Sequence, residues 1–263
     1  MGYELIAVEA GPEVGSEIRL VTVTLQHPAK RNALSLAMLG ELRDAFIEIG
    51  QSDAVGVILA AAGPVFSAGH DFADMAGADL RSARELLGLC TEVMTRIGEI
   101  PQIVLARVQG LATAAGCQLV AACDLAVAGA SAGFAAPGGK GGLFCHTPMV
   151  AVARNVGRKR AAELAFTGDV IDAATAADWG LVNRVVPDED LDEAACALLV
   201  RACRGSAYSK ALGKGTLYAQ LDLPLVEAYR YAVEVMAAAT QTADAQEGMA
   251  SFLEKRPPVW TGR

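Results

Sequence analysis

The sequence has few of the residues that mark metal-binding or disulfide-rich proteins. Its six cysteines form no Cys-x-x-Cys pair, and its three histidines, His27, His70 and His146, are far apart in the chain. Structural zinc sites need closely spaced cysteine and histidine ligands, so this pattern does not predict one. Reduced thiols in a cytosolic protein are the simpler expectation.

The sequence also has no excess of positive charge. Its 22 Lys and Arg residues face 30 Asp and Glu residues, giving a formal net charge of -8 at pH 7. Nucleic acids and anionic membranes attract cationic surfaces, so neither is an expected partner. No basic, apolar leader opens the chain, and Gln118 and Asp124 interrupt the longest apolar stretch, residues 108–128. We expect a cytoplasmic protein without a membrane span.

What is present is the composition of a folded protein, 53% hydrophobic and 20% charged. Residues 3–8 and 18–25 alternate as two strands of a hairpin, with turn residues Gly11, Pro12 and Gly15 between them. Ser35 is a candidate N-cap for an amphipathic helix that Gly50 ends. Further strands are predicted at 56–60, 103–108 and 125–128, with helices at 86–97 and from about Thr113 to Ala122. Strands alternating with helices predict an α/β fold with a largely parallel sheet.

Beyond Pro187 the pattern is helical, with helices predicted at residues 191–203, 206–220, 225–239 and 242–253. We therefore divide the chain into a core of residues 1–204 and a helical C-terminal module of residues 205–263. Apolar helix faces without a sheet to cover are often buried against another subunit. A homo-oligomer is the resulting hypothesis.

Two glycine-bearing segments, residues 66–72 and 110–118, stand where chemistry is expected. The first, FSAGHDF, follows a predicted buried strand, and loops at the carboxyl ends of parallel strands commonly bind ligands. The second, GLATAAGCQ, enters a helix whose first N–H groups lack intrahelical acceptors and suit a developing oxyanion. Each segment alone is equally typical of a turn or of tight helix–strand packing.

Taken in order, five blocks of the sequence resemble the crotonase, or enoyl-CoA hydratase/isomerase, superfamily. They are residues 27–34, the FSAGHDF turn, VQGLATAAGCQLVAACDLAVA, FTGDVIDAATAADWGLVNRVVP and FLEKRPPVW. The resemblance covers nearly the whole chain. It implies a ββα spiral fold with a helical oligomerisation module, assembled as a homotrimer or a dimer of trimers, that binds acyl-CoA thioesters.

The resemblance also implies a site, and the sequence departs from it. The two backbone amides that polarise the thioester fall on His70 and Ala115, where any side chain serves. The two glutamates of family hydratases fall on Gln118 and Gly138. Neither residue can accept a proton, so ordinary hydration is in doubt. From sequence we predict that restoring both glutamates gives some hydratase activity if the backbone site is intact.

Residues 138–148 replace the usual glycine-rich wall with Phe144, Cys145 and His146. This combination resembles the subgroup called enoyl-CoA hydratase domain-containing protein 3, whose members share Gln and Gly at the two glutamate positions. His146 and Cys145 are candidates for replacement proton carriers, since histidine titrates near neutrality and a thiolate is nucleophilic. The alternative, which stays open, is that both residues only pack.

Coenzyme A positions also follow from the resemblance. Asp71 is expected to cap or order its loop, and a neighbouring subunit is expected to supply Phe252 and Lys255. The full set is Lys30, Arg31, Ala33, Ala68, His70, Asp71, Phe252 and Lys255. No metal, flavin or nicotinamide is implied; coenzyme A enters only as part of the substrate.

Two functions remain open from sequence. The first is an enzyme that stabilises an acyl-CoA enolate with two amides and moves the proton by another group. The second is a protein that binds acyl-CoA without turnover. A nucleotide-binding enzyme is excluded because no GxGxxG or GxxxxGK[ST] motif is present, and Gly213-Lys214 lacks the following hydroxyl residue.

Overall fold

A computed structural model describes residues 2–11 and 18–263. Its larger sheet has six strands in the order β1-β2-β3-β5-β7-β10. The strands β1 and β2 are antiparallel, and the others run parallel to their neighbours. The predicted hairpin and largely parallel sheet are confirmed, although most of the predicted turn, including Pro12 and Gly15, lies outside the described residues. The strands are β1 (Ile6–Ala10), β2 (Leu20–Leu25), β3 (Gly56–Ala61), β5 (Ile103–Val108), β7 (Leu125–Gly129) and β10 (Arg184–Val186).

A second, smaller sheet was not predicted. Its strands, in the order β4-β6-β8-β9, are β4 (Val65–Ser67), β6 (Leu111–Thr113), β8 (Gly133–Ala135) and β9 (Ile171–Asp172). Strands of two or three residues are too short to show an alternating pattern. Each of β3, β5 and β7 is followed within a few residues by a strand of this sheet. The repeating unit is therefore strand, strand, helix, as the ββα spiral requires.

Helices cover both faces of the larger sheet. The hydrophobic core on one face is closed by α1 (Leu36–Gly50), α2 (Leu80–Glu99), α3 (Ala115–Ala122) and α4 (His146–Val156), and that on the other by α7 (Leu191–Cys203). The predicted N-cap of α1 is confirmed, because Ser35 Oγ accepts the N–H of Met38 at 3.2 Å. Between α4 and α7 lie α5 (Arg158–Thr167) and α6 (Ala173–Trp179).

The predicted start of α3 at Thr113 is wrong. Thr113 ends β6, and Ala114 takes a positive φ of 51° before the helix begins at Ala115. A non-glycine residue in this region is uncommon and breaks the regular backbone, so the chain turns sharply from strand to helix. This turn places the first amides of α3 at the junction between the two segments singled out in the sequence.

Three helices complete the chain: α8 (Ala207–Leu221), α9 (Leu225–Ala239) and α10 (Ala243–Glu254). Their prediction is confirmed. The domain boundary at residue 204 stays a prediction; at this point α7 ends at Cys203, and Ser206 caps α8 by accepting the N–H of Ser209 at 3.0 Å. Within the described residues, no helix has the length and apolar character needed to cross a bilayer.

Candidate functional site

Asn32 builds the foundation of the site. Its side chain is fully buried, accepts the N–H of His27 at 2.9 Å, and donates to the carbonyls of Ala62 and Val65 at 2.8 Å each. Buried amide groups satisfied in this way rigidify the chain segments they join. The loop that precedes α1 is thereby held against the strand β4. Asn32 belongs to the sequence block of residues 27–34, but the sequence alone predicts no role for it.

The first glycine segment is held against the same loop. Leu34 donates its N–H to the carbonyl of Gly69 at 2.8 Å and accepts the N–H of Asp71 at 3.4 Å, forming a parallel bridge opposite His70. In a parallel bridge of this kind, one residue forms hydrogen bonds with the two residues on either side of its partner. The N–H and C=O of the partner itself, here His70, then face the opposite side of the strand. The N–H of His70 therefore points away from Leu34.

The second glycine segment lies directly against the first. A Cβ atom added to Gly69, whose φ is +83°, would stand 3.1 Å from the N of Ala115 and 2.9 Å from the carbonyl oxygen of Thr113. A Cβ atom on Gly116 would stand 2.4 Å from the carbonyl oxygen of Ser67. Only glycine permits this approach. The structure thus brings together the segments that carry His70 and Ala115. The alternative interpretation of these segments, tight packing, also applies, because the same glycines allow the close contact.

Both amides named in the sequence are available. Ala115 is the first residue of α3, so its N–H has no intrahelical acceptor. Across residues 2–11 and 18–263, no protein group accepts a hydrogen bond from the N–H of either His70 or Ala115. The positive end of the α3 dipole adds to the attraction of Ala115 for negative charge.

Gln118 lies one turn into α3, with 5% of its surface exposed. Its Oε1 is buried and has no hydrogen-bond partner among the described protein atoms. Side chains of a helix lean towards its N-terminus, so this amide is directed back towards the first turn of α3. An orphaned buried acceptor costs about 1–3 kcal/mol, which a ligand or water that donates to it recovers.

Gly138 belongs to a tight loop that has no room for a side chain. Its carbonyl accepts the N–H groups of Gly141 and Leu143, both at 3.0 Å, and its N–H donates to Cys145 Sγ at 3.3 Å. A Cβ atom added here would lie 2.1 Å from the carbonyl oxygen of Leu143. In this conformation the loop therefore has no space for the glutamate side chain that the resemblance implies at this position.

The two candidate proton carriers of this loop have different surroundings. Cys145 is buried, and burial raises the pKa of its thiol, which disfavours the reactive thiolate. His146 is exposed at the start of α4, and its ring lies 5.2 Å from that of Phe144, centroid to centroid. The role of His146 in proton transfer stays a prediction, now without a buried environment to support it.

The predicted coenzyme A positions fall in three places. Asp71 caps its loop as expected, because its Oδ1 accepts the N–H of Ala73 at 2.9 Å. The carbonyl of Arg31 accepts the N–H of Ala68 at 3.0 Å, which joins the loop carrying Lys30 and Ala33 to the FSAGHDF segment. Phe252, with 81% of its surface exposed, and Lys255 lie at the end of α10, in the C-terminal module.

The fold and this pair of apposed amide segments define an α/β protein of the crotonase type. The sequence model of the Enoyl-CoA hydratase/isomerase family matches residues 16–263, and the chain belongs to that family. The predicted subgroup is also supported. Enoyl-CoA hydratase domain-containing protein 3, mitochondrial, of Rattus norvegicus is 46% identical over 263 residues, which span 96% of this chain and 87% of the relative.

Solved structures agree. An enoyl-CoA hydratase from Mycobacterium smegmatis superimposes with a TM-score of 0.92 at 44% identity, over 98% of this chain and 99% of that one. Human enoyl-CoA hydratase domain-containing protein 3 superimposes with a TM-score of 0.90 at 42% identity, over 96% and 99%. The predicted crotonase-like α/β fold with a helical C-terminal part is confirmed, and the role of that part in oligomerisation stays a prediction. The name of the rat relative includes a mitochondrial location, so a cytoplasmic location for this chain stays a prediction.

Proposed function

We propose that this protein binds acyl-CoA thioesters, with the thioester oxygen accepting hydrogen bonds from the N–H groups of His70 and Ala115. The observation that carries the proposal is the contact of Gly69 with the amide of Ala115, which sets two acceptor-free N–H groups on apposed segments. Such donors stabilise an enolate more than a ground-state thioester, because the charge on oxygen develops only in the reaction.

We further propose that ordinary enoyl-CoA hydration is not its main activity. Hydration needs a group that takes a proton from water and one that returns it. At the positions of the two family glutamates, Gln118 has no ionisable group and Gly138 has no space for one. The protein is therefore suited to enolate chemistry with a different proton carrier.

The second candidate is binding of acyl-CoA without turnover, and the loss of both carboxylates favours it. Turnover separates the two. Calorimetry with crotonyl-CoA, 3-hydroxybutyryl-CoA, malonyl-CoA and free CoA measures affinity, and mass spectrometry of the same mixtures detects any product. We expect the thioesters to bind more tightly than free CoA. If none of them binds, the proposed function is wrong; binding without product across the set selects the second candidate.

A glycine pair tests the amide arrangement. Gly69→Ala places a methyl group against the N of Ala115, whereas Gly77→Ala imposes a similar backbone strain, φ +76°. Apart from its chain neighbours, no described residue has an atom within 4 Å of a Cβ added to Gly77. We expect at least tenfold weaker thioester binding for Gly69→Ala and unchanged binding for Gly77→Ala, with near-UV circular dichroism confirming that both fold. Equal affinity in the two variants would contradict the proposed geometry.

The helix α9 supports the predicted homo-oligomer, a trimer or a dimer of trimers. Along one stripe it exposes large apolar side chains to solvent, and Ala228 is its one buried residue. Helices with an apolar stripe normally cover it. The exposed stripe consists of Leu225, Val226, Tyr229, Val233 and Met236, each at least 59% exposed.

A further inference from the structure

Two buried polar atoms on the apposed segments have no hydrogen-bond partner among the residues that the structure describes. One is Oε1 of Gln118, and the other is Nε2 of His70. Buried polar atoms in folded proteins are nearly always hydrogen-bonded, and the exceptions call for a missing water, a missing ligand or a chemical role. The segments that carry these atoms are in direct contact through Gly69 and Gly116.

The ring of His70 is oriented by the main chain. Its Nδ1 faces the carbonyl oxygen of Leu34 at 3.4 Å, and a carbonyl oxygen only accepts. The single hydrogen of the neutral ring therefore belongs on Nδ1, which leaves a free lone pair on Nε2. Burial lowers the pKa of His70 below its usual 6.5, and the Leu34 carbonyl and the Asp74 carboxylate oppose this only in part. The ring is neutral at pH 7.

The other titratable groups of residues 66–74 and 110–118 are already engaged or inert. Asp71 Oδ1 accepts the N–H of Ala73, and Asp74 Oδ2 accepts the N–H of Leu36 at 2.7 Å. Burial raises the pKa of Cys117 to about 12, so its thiol stays protonated. Histidine 70 alone among these groups combines a titratable atom with an unsatisfied lone pair.

We infer that the imidazole of His70 is the proton carrier of this site, taking a proton from Cα of a bound acyl-CoA while the backbone N–H of the same residue stabilises the enolate. The inference rests on the proposed thioester site. It assigns to the His70 side chain a role in place of the absent carboxylates, distinct from the backbone role that the family resemblance implies.

The step is balanced without a co-reactant. The Cα–H bond breaks, its electron pair forms the carbon–carbon double bond of the enolate, and the carbonyl electrons move to the thioester oxygen. Nε2 gains the proton, so the ring becomes an imidazolium beside the new negative charge. Return of a proton from Nε2 to Cα regenerates the thioester, and the carbon–sulfur bond remains intact throughout. In D₂O, exchange of the Nε2 proton for a solvent deuteron before the return step leaves deuterium at Cα.

Solvent exchange at Cα of butyryl-CoA, followed by proton NMR, therefore tests the inference directly. We expect His70→Gln to lose at least 100-fold in exchange rate and to bind butyryl-CoA within threefold of wild type by calorimetry, since its backbone N–H remains. His27→Gln is the matched control and should retain wild-type exchange. The wild-type rate should fall as pH decreases through a midpoint below 6.5, because only the neutral ring accepts a proton.

His146→Gln tests the other candidate proton carrier, and this variant should retain exchange at Cα. The inference would be overturned if His70→Gln exchanged Cα protons at the wild-type rate. It would also be overturned if only His146→Gln lost exchange. Binding of butyryl-CoA by wild type without any exchange would also overturn it while leaving the thioester site intact. Absence of butyryl-CoA binding in wild type would instead refute the proposed function and the inference with it. If His70→Gln fails to fold, His70→Asn provides the same comparison.

Discussion

Lys214 Nζ lies 2.7 Å from Asp124 Oδ2, and the two side chains are only 7% and 10% exposed. The ammonium group also donates to the carbonyls of Ile97 and Gln102, at 2.7 and 2.8 Å. Asp124 follows α3 closely, and Ile97 lies in the last turn of α2. One side chain of the C-terminal module thus joins the ends of two helices of the core, and all three ammonium hydrogens have acceptors.

Replacing Lys214 with methionine should destabilise the protein by about 3–5 kcal/mol, because a buried carboxylate then loses its counter-charge. The carboxylate of Asp124 would keep the Tyr218 hydroxyl and the N–H of Val104 as donors. Urea unfolding followed by circular dichroism measures the change. Lys159→Met, at an exposed position of α5, is the control and should stay within about 0.5 kcal/mol. Equal stability of the two variants would mean that the ion pair contributes nothing net.

Gly138→Ala should destabilise the protein by about 1–3 kcal/mol, since the new methyl group overlaps the Leu143 carbonyl and the loop must move. Gly88→Ala is the matched control. Gly88 is exposed within α2, and outside the helix's own backbone no described residue has an atom within 4 Å of an added Cβ. Alanine there should therefore stabilise the protein by about 0.5–1 kcal/mol. Thermal unfolding should show a lower melting temperature for Gly138→Ala and a higher one for Gly88→Ala than for wild type.

The same overlap changes the expectation for restored glutamates. The sequence alone predicts some hydratase activity for Gln118→Glu combined with Gly138→Glu. Given the contact at Gly138, we now expect no gain in the double variant, because the loop cannot present a carboxylate in its present conformation. The ultraviolet assay of crotonyl-CoA hydration measures this. A rate well above that of wild type would show that the loop adapts.

The lowered pKa of His70 predicts how stability varies with pH. In the unfolded chain the imidazole binds its proton near pH 6.5, whereas burial makes the folded protein bind it only at lower pH. The unfolded state therefore gains protons first, and wild type should lose stability as pH falls from 7 to 5. His70→Gln should lose less over this range, and His27→Gln should follow wild type. Parallel losses in all three proteins, measured by urea unfolding, would contradict the prediction.

Charge placed on the exposed stripe of α9 should disrupt the proposed homo-oligomer. Met236 is 74% exposed in the single chain, so Met236→Glu has little effect on the monomer fold but buries a carboxylate in any interface that covers α9. Multi-angle light scattering should show wild type as a trimer or hexamer and the variant as smaller species. Glu234→Gln, on the same helix, is the control. A monomeric wild type would refute the proposed assembly.

Much of the architecture was predictable because its signals are local. Helical spacing and the Ser35 cap identified α1, and short, largely apolar runs identified β3, β5 and β7. The short strands of the second sheet were missed, since two or three residues carry no period. The start of α3 was predicted two residues too early, because no feature of the sequence Thr113-Ala114 predicts the positive φ of Ala114. The structural roles of Asn32 and Lys214 were not predicted, because most of their hydrogen-bond partners lie 30 or more residues away in the sequence.

The sequence by itself determined the family and the apolar faces of the helices, and it showed Gln118 and Gly138 where the resemblance implies glutamates, because these features depend only on residue identity and spacing. Only the tertiary structure decided which groups meet. It set Gly69 against Ala115 and closed the space beside Gly138. It also buried Nε2 of His70 with no hydrogen-bond partner in the described part of the chain, and it exposed His146. The burial of a side chain and the distance between two segments depend on contacts between residues distant in the chain. These contacts set the proton affinity of a group and the space available to a side chain.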